Sequence, residues 1–215
     1  MTLRHAVLVA LLGTEAAGYQ LVKAFDVSVA NFWASSPQQI YAELPKLEAR
    51  GLIAGREVVQ TNRPNKRVYT LTKAGRDEIS NFIATASKPS IIRDDLVVKV
   101  FTTGDDARDD AQIASELDQR ATECQARADL FTQILRSMLG DRTELEYLQN
   151  EQRIGPYLTC RRGQLFEQDN ARYSRWTAEA IRARLRGQTI PGIPLSDPRS
   201  SISEATPLPN VTSHG

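Results

Sequence analysis

The sequence predicts a mainly helical protein carrying one small β-hairpin, and three observations support that prediction. Apolar residues recur at spacings of three and four through most of residues 3–185. Two short runs rich in β-branched residues, at 52–59 and 67–71, flank the turn-forming segment Thr61-Asn-Arg-Pro-Asn-Lys66. Glycine, or serine followed by proline, stands where the helical patterns start and stop.

Taken in order, Leu3–Leu12 is nearly all apolar and reads as a short buried helix stopped by Gly13. Gly18 opens a second helix whose inner face is Tyr19, Leu21, Val22, Phe25, Val29 and Phe32, with Trp33 near its end. Ser36-Pro37 is a helix start. The serine hydroxyl can accept a hydrogen bond from an unpaired N–H, and proline fits the first helical position, where no N–H is needed. The third helix runs to Ala49 and is closed by Gly51, with Ile40, Leu44 and Leu47 as its inner stripe. Pro45 lies inside it, where the lost hydrogen bond predicts a kink and a cost of about 3 kcal/mol. The hairpin follows. Thr72 then caps a fourth helix with Ile79, Phe82 and Ile83 on one side.

Ser87-Lys-Pro-Ser90 reads as a hinge. Beyond it, Asp94–Phe101 reads as a short buried helix, although its β-branched residues also allow a strand. A long helix spans about 107–139, with Leu117, Ala121, Cys124, Ala128, Phe131, Leu135 and Met138 forming a heptad-type seam. A shorter helical piece, about 143–157, ends at Pro156, and a last helix covers about 160–185 before Gly187. The proline- and serine-rich residues 188–215 read as a disordered tail. The predicted organisation is a head at 1–88, a helical body at 91–187 and the tail.

Composition narrows the function classes. Of 215 residues, 41% are hydrophobic and 25% charged, ordinary values for a globular chain. No apolar run reaches the ~20 residues that span a bilayer, and the start lacks a secretory pattern, so a cytoplasmic location is expected. Cys124 and Cys160 have no metal-ligand spacing and read as reduced thiols; neither metal nor cofactor is expected. His5 and His214 sit near opposite ends and there is no glycine-rich phosphate loop, which argues against an enzyme. The acidic pairs at 94–95, 105–106 and 109–110 suit helix starts. Charge is uneven: residues 1–90 hold eleven Lys and Arg against seven Asp and Glu, while residues 91–215 hold sixteen against nineteen. A mildly basic head on an acidic body suits a chain that meets phosphate at one end.

Three helices, a hairpin and a helix are the order of a winged helix-turn-helix. In that arrangement the third helix enters a major groove with Ser36, Gln38 and Gln39 in its first turn, glutamine being able to bond adenine with both amide atoms. Tyr41 and Lys46 are placed to reach flanking phosphates, and Arg63, Lys66 and Arg67 make the wing cationic. The alternative is a winged helix that binds protein rather than DNA.

The stretches Leu3–Leu12, Gly18-Tyr-Gln-Leu21, Phe32-Trp33, Ser36-Pro-Gln-Gln-Ile-Tyr-Ala-Glu-Leu44, Leu47-Glu-Ala-Arg-Gly-Leu52 and Tyr69-Thr-Leu-Thr-Lys-Ala-Gly75 resemble the PadR family of phenolic-acid-responsive repressors. Asp95–Phe101 and the segment from Arg162 to Trp176 resemble the helical C-terminal domain of its longer members. The chain departs from the family pattern with Ala42 where proline is usual and Pro45 where it is not. The resemblance implies a homodimer on a palindromic operator in double-stranded DNA, repressing until a small-molecule or stress signal releases it. Dimerisation is expected through Leu117, Cys124, Phe131, Leu135, Phe166, Tyr173 and Trp176, the seam being shared with packing inside one chain. Phe32, Trp33, Phe101 and Trp176 are the candidate lining for a small aromatic effector.

Overall fold

The computed structural model describes residues 3–25, 35–59, 65–87, 93–190 and 192. The helices are α1 (Leu3–Ala10), α2 (Gly18–Ala24), α3 (Pro37–Ala49), α4 (Lys73–Ala84), α5 (Asp95–Val100), α6 (Ala107–Leu139), α7 (Glu144–Asn150) and α8 (Gly155–Leu185), and the strands are β1 (Ala16–Ala17), β2 (Ile53–Val58) and β3 (Lys66–Leu71). Packing divides the chain into two units, Met1–Arg93 with Ala126–Glu167, and Asp94–Gln125 with Gln168–Gly215.

In the first unit, α1 to α4 close around one core. Val7, Leu8, Leu11, Leu21, Phe25, Ile40, Leu44, Leu47, Ile53, Tyr69 and Ile79 are its buried members. The inner stripe expected for α3 is therefore the buried one. Tyr19 is different: it is 56% exposed rather than part of the inner face, because it sits in the first turn of α2, where the chain has just left the sheet. Ile83 is likewise 76% exposed, one position past Phe82 and off the buried face of α4.

The sheet has three strands, not two. β1 pairs antiparallel with β3, which pairs antiparallel with β2, giving the order β1-β3-β2. Tyr69 stands at the centre, opposite Ala16 on one side and Gly55 on the other. The hairpin tip at 60–64, Arg63 included, lies outside the described residues, as do Val29, Phe32 and Trp33. α3 runs unbroken through Pro45, whose side chain is exposed, so solvent can satisfy the carbonyl that the proline leaves without a donor. α4 starts at Thr72, whose hydroxyl accepts the Gly75 N–H at 3.1 Å.

The rest of this unit is the second half of α6, α7 and the first half of α8. Phe131, Leu135, Tyr147, Tyr157 and Cys160 form its core, and burial pushes the Tyr157 phenol up to about 12. The Gln164 amide donates to Thr132 Oγ1 at 2.7 Å, and Arg127 pairs with Glu167 at 2.9 Å. The Arg153 guanidinium donates to the Leu12 carbonyl just past the end of α1. Pro156 opens α8 instead of ending the helix before it; α7 stops at Asn150 and proline takes a first-turn position, where its missing N–H costs nothing.

In the second unit, Leu96 of α5, Ile113, Ala114 and Leu117 of α6, and Ala178 and Ile181 of α8 form the core. The segment read as a short helix, with a strand as the alternative, is helical. Asp94 caps it, accepting the Leu96 and Val97 N–H groups at 3.1 and 3.3 Å. Arg120 donates to Asp94 at 2.5 Å and holds its carboxyl below the usual range. Lys99 pairs with Glu116 at 2.8 Å and Arg182 with Asp118 at 2.5 Å.

The heptad seam of α6 is packed largely within one chain. Leu117, Cys124, Phe131 and Leu135 are each 4% exposed or less within one chain. Periodicity reveals a stripe that must be covered but not which chain covers it.

Candidate nucleic-acid interface

The first turn of α3 is fixed by a reciprocal pair of hydrogen bonds. Ser36 Oγ accepts the Gln39 N–H at 3.3 Å, and Gln39 Oε1 accepts the Ser36 N–H at 2.9 Å. The arrangement saturates two orphan donors of the helix end. It also turns the Gln39 amide oxygen back toward the helix start and uses one of its two lone pairs. Two-point reading of adenine needs both amide atoms turned to the base, so for Gln39 it competes with the cap. Gln38 is exposed, and no side-chain hydrogen bond holds it among the described residues. Of the two glutamines, Gln38 is the one left to present a complete amide.

Further along the same outer face, Tyr41 is 49% exposed and Lys46 is exposed, 3.6 Å from Glu43. The Tyr41 ring lies against Gly18 at the start of α2. A Cβ there would come within 2.7 Å of Tyr41 Cε1, so only glycine lets the ring settle in that position. Gly18→Ala is expected to swing Tyr41 outward while the core stays intact. The result should be a near-native melting temperature with DNA affinity reduced about three- to tenfold, the worth of one hydrogen bond, as read by fluorescence anisotropy.

The wing stands beside this helix. Gly18, Tyr19 and Tyr41 line one side of a shallow groove of about 250 Å³, and Lys66, Arg67 and Tyr69 line the other. The anchor between them is Glu48, in the last turn of α3. Its Oε1 accepts the Gly55 N–H of β2 at 3.0 Å and the Arg67 Nη2 of β3 at 2.5 Å. The Arg67 guanidinium holds the Glu48 carboxyl below its ordinary 4.5, and Glu48 holds the Arg67 guanidinium protonated more firmly. Arg67 is thus a brace between wing and helix as well as a cation on the surface, its side chain 49% exposed.

Because the Glu48 carboxyl is depressed in the folded chain, its contribution is complete above the unfolded value and fades as pH falls through the folded one. Wing anchoring is expected to weaken only below about pH 4.5. Glu48→Gln keeps the shape but removes the charge. It should loosen the wing, seen as faster amide exchange at Gly55 and Arg67, and lower DNA affinity several-fold without changing which base pairs are preferred.

Sequence reasoning missed Tyr19, Glu48 and Arg56. Tyr19 lines the groove, and Glu48 bridges to positions 7 and 19 residues away, a separation no local pattern marks. Arg56 pairs with Glu15 at 2.6 Å.

The remaining expectations fare differently. Phe101, the residue that closes α5, is 94% exposed. Trp176 is half-buried, Phe166 is 39% exposed and Tyr173 40% exposed. A separate cleft of about 380 Å³ lies between α1 and α4. There His5 stacks on Phe82 with ring centroids 4.3 Å apart, and Arg4 and His5 meet Glu78 at 2.9 and 3.2 Å. Among the described residues no group of three or more His, Cys, Asp or Glu could hold a metal ion, and no helix is long and apolar enough to cross a membrane.

Comparison with known proteins places this geometry. Residues 7–81 match the model of the transcriptional regulator PadR-like family, and residues 92–182 match the model described as virulence activator alpha C-term. The chain carries a PadR-like domain. Over 90 residues it is 38% identical to a probable transcriptional regulator of Mycobacterium tuberculosis, covering 42% of this chain and 48% of that protein. Over 100 residues it is 31% identical to the negative transcriptional regulator PadR of Bacillus subtilis, covering 46% and 55%. These alignments span about half the length of the curated relatives. The Bacillus subtilis PadR structure with operator DNA superposes with a TM-score of 0.68 at 21% identity, over 80% of this chain and 96% of that one. The same Bacillus protein has been solved with p-coumaric acid. The PadR-like domain begins in α1 and ends in α4, so it contains α3, the wing strands and the Glu48 bridge between them.

Proposed function

We propose that this chain is a sequence-specific DNA-binding transcriptional regulator. In this reading residues 1–88 are the DNA-reading head and residues 91–187 the dimerisation arm. It acts in the cytoplasm as a homodimer on a palindromic operator and represses by occupying it. The observation that carries the reading is that the exposed outer face of α3 and the cationic wing border one groove and are tied together through Glu48. Helix and wing are then held at one spacing, as simultaneous contact with a major groove and the neighbouring backbone requires. Relatives named as transcriptional regulators, and a similar fold seen on operator DNA, support it over a protein-binding module.

Gln38 is assigned to base reading, Ser36 and the α3 N-terminus to phosphate, and Tyr41, Lys46, Lys66 and Arg67 to the backbone on either side; Arg63, which the sequence also assigns to DNA, lies outside the described residues. The release signal is proposed to be a small aromatic acid. Since Phe101 is on the surface, the α1–α4 cleft, with the Phe82 ring and the Arg4 guanidinium, is the described cavity whose chemistry fits one. The test is a gel shift with the DNA upstream of the chain's own coding region. A shifted band that competitor DNA does not remove at ~150 mM salt supports the reading. Folded protein that fails to bind even at ~50 mM salt, where phosphate contacts are strongest, overturns it.

A further inference from the structure

One flank of α3 has no part in the assignments above. At 3.6 residues per turn, Tyr41 and Glu48 fall on one side of the buried stripe Ile40, Leu44 and Leu47, and Glu43 and Arg50 fall on the other. Gln38 lies on the outer face between the two flanks. The first flank meets the wing, through Glu48 and through the groove that Tyr41 shares with Lys66 and Arg67. The second borders a separate cleft of about 360 Å³. Its described lining is Leu3 and Arg4 of α1, Glu43 of α3 and Arg50 at the α3 C-cap.

The charges around this cleft do not cancel. Glu43 pairs with Lys46 at 3.6 Å, and Glu78 of α4 pairs with Arg4 at 2.9 Å. Arg50 is exposed, and among the described residues no hydrogen bond or ion pair holds its guanidinium. It is the cation left over. The Arg4 guanidinium is not saturated either, since its Nε is buried with no hydrogen-bond partner among the described residues. A buried donor without an acceptor is costly, and two guanidiniums with donors to spare around one cleft are the chemistry of an oxyanion site.

We propose that Arg50, with Arg4 behind it, holds a phosphate of the DNA backbone on the wall of the major groove opposite the wing. A major groove is about 12 Å wide, and a helix with its side chains is about 10–12 Å across, so a helix seated there touches both walls. The wing serves one wall with Lys66 and Arg67. The other wall falls to the Glu43 and Arg50 flank, where the unmatched guanidinium meets it. A planar guanidinium can take a phosphate through two parallel N–H bonds, which fixes direction as well as charge. Lys46 beside Glu43 offsets the one carboxylate of the lining. Contact on both walls centres α3 in the groove and so fixes where Gln38 meets the bases. The site contributes affinity and register and reads no sequence itself.

The inference rests on the DNA-binding reading, and the two fail in different ways. The probe is the DNA upstream of the chain's own coding region, bound by the full chain at several salt concentrations. Arg50→Gln tests the site without disturbing the fold, because that side chain has no partner to lose; its melting curve should match the parent's. Affinity should fall about three- to tenfold, and the slope of log affinity against log salt should shrink by about 0.9 for each head bound. Arg50→Lys keeps the charge and should hold the slope near the parent's. Uncharged methylphosphonates, placed one at a time along the DNA, locate the contact. One position in each half-site should weaken the parent and cost Arg50→Gln nothing. It should lie across the major groove from the position whose penalty Lys66→Gln removes. Inorganic phosphate titrated to millimolar concentration without DNA should leave the Arg50 side-chain resonance in place. A parent chain that binds no DNA would sink the DNA-binding reading itself. A parent that binds, with the slope unchanged in Arg50→Gln or with every methylphosphonate penalty shared by the two proteins, would leave DNA binding standing and overturn this site. Saturation by inorganic phosphate together with an unchanged slope would give the cleft to a free anion instead.

Discussion

Gly75→Ala is expected to be among the most damaging single-methyl additions in the head. A Cβ at this position would lie 2.1 Å from the Leu52 carbonyl oxygen and 2.7 Å from Leu71 Cδ1. The leucine side chain can give way, but the carbonyl cannot. It accepts the Thr72 N–H at 3.2 Å, and the Thr72 hydroxyl, whose proton is shared between the Gly51 carbonyl at 2.7 Å and this one at 3.0 Å, caps α4 through the Gly75 N–H. Relief requires the first turn of α4 to move off the end of β3, breaking the cap and opening the core at Ile79. Overpacking of this kind costs about 1–3 kcal/mol and more where backbone must shift. For a chain of this size that corresponds to a drop in melting temperature of roughly 3–10 °C. An unchanged melting curve would mean that α4 does not sit against Leu52 as described.

Gln38→Ala should give the larger effect on recognition. An amide that bonds one base with both its atoms contributes about 1–3 kcal/mol of discrimination, so the variant should lose roughly ten- to a hundredfold in affinity for the preferred operator. It should also become indifferent at one position of each half-site. Its melting temperature should not move, because Gln38 is exposed and makes no side-chain hydrogen bond among the described residues. Gln39→Ala should behave the other way round. It breaks the reciprocal cap with Ser36, lowering stability by about 0.5–1 kcal/mol while leaving the base preference largely in place. Binding-site selection from a random-sequence pool distinguishes the two. Relaxed preference in the Gln39 variant and none in the Gln38 variant would exchange their roles.

The contrast between these two neighbours shows where sequence was sufficient. Ser36-Pro37 marks the start of α3 because capping and the missing proline N–H are local chemistry, and the stripe Ile40, Leu44, Leu47 is buried because three and four are the period of a helix. That Gln39 turns back to the Ser36 N–H is also encoded locally, in the Ser-x-x-Gln spacing, yet it competes with a base contact that the same residue type suggests. Other features have no local signature. β1 is two alanines, too few for any alternation to show. The Glu48 bridge joins three elements through one carboxyl oxygen. The α6 seam was visible as a heptad, but whether a chain covers its own stripe depends on where the partner helix returns. Here α8 returns to the same chain, burying Leu117 with Ala178 and Ile181 in one unit and Phe131 with Tyr157 and Cys160 in the other. Of the dimer residues expected from sequence, Phe166, Tyr173 and Trp176 keep exposed surface.

The central claim is that the outer face of α3 and the wing meet one duplex together. Site-specific photo-cross-linking tests it most directly, with a photoreactive side chain placed at Gln38 in one variant and at Lys66 in another, each bound to the same operator fragment. Both variants should cross-link within one half-site, position 38 to a base and position 66 to the adjacent backbone. Cross-linking from only one of them, or from the two to half-sites on different duplexes, would contradict it.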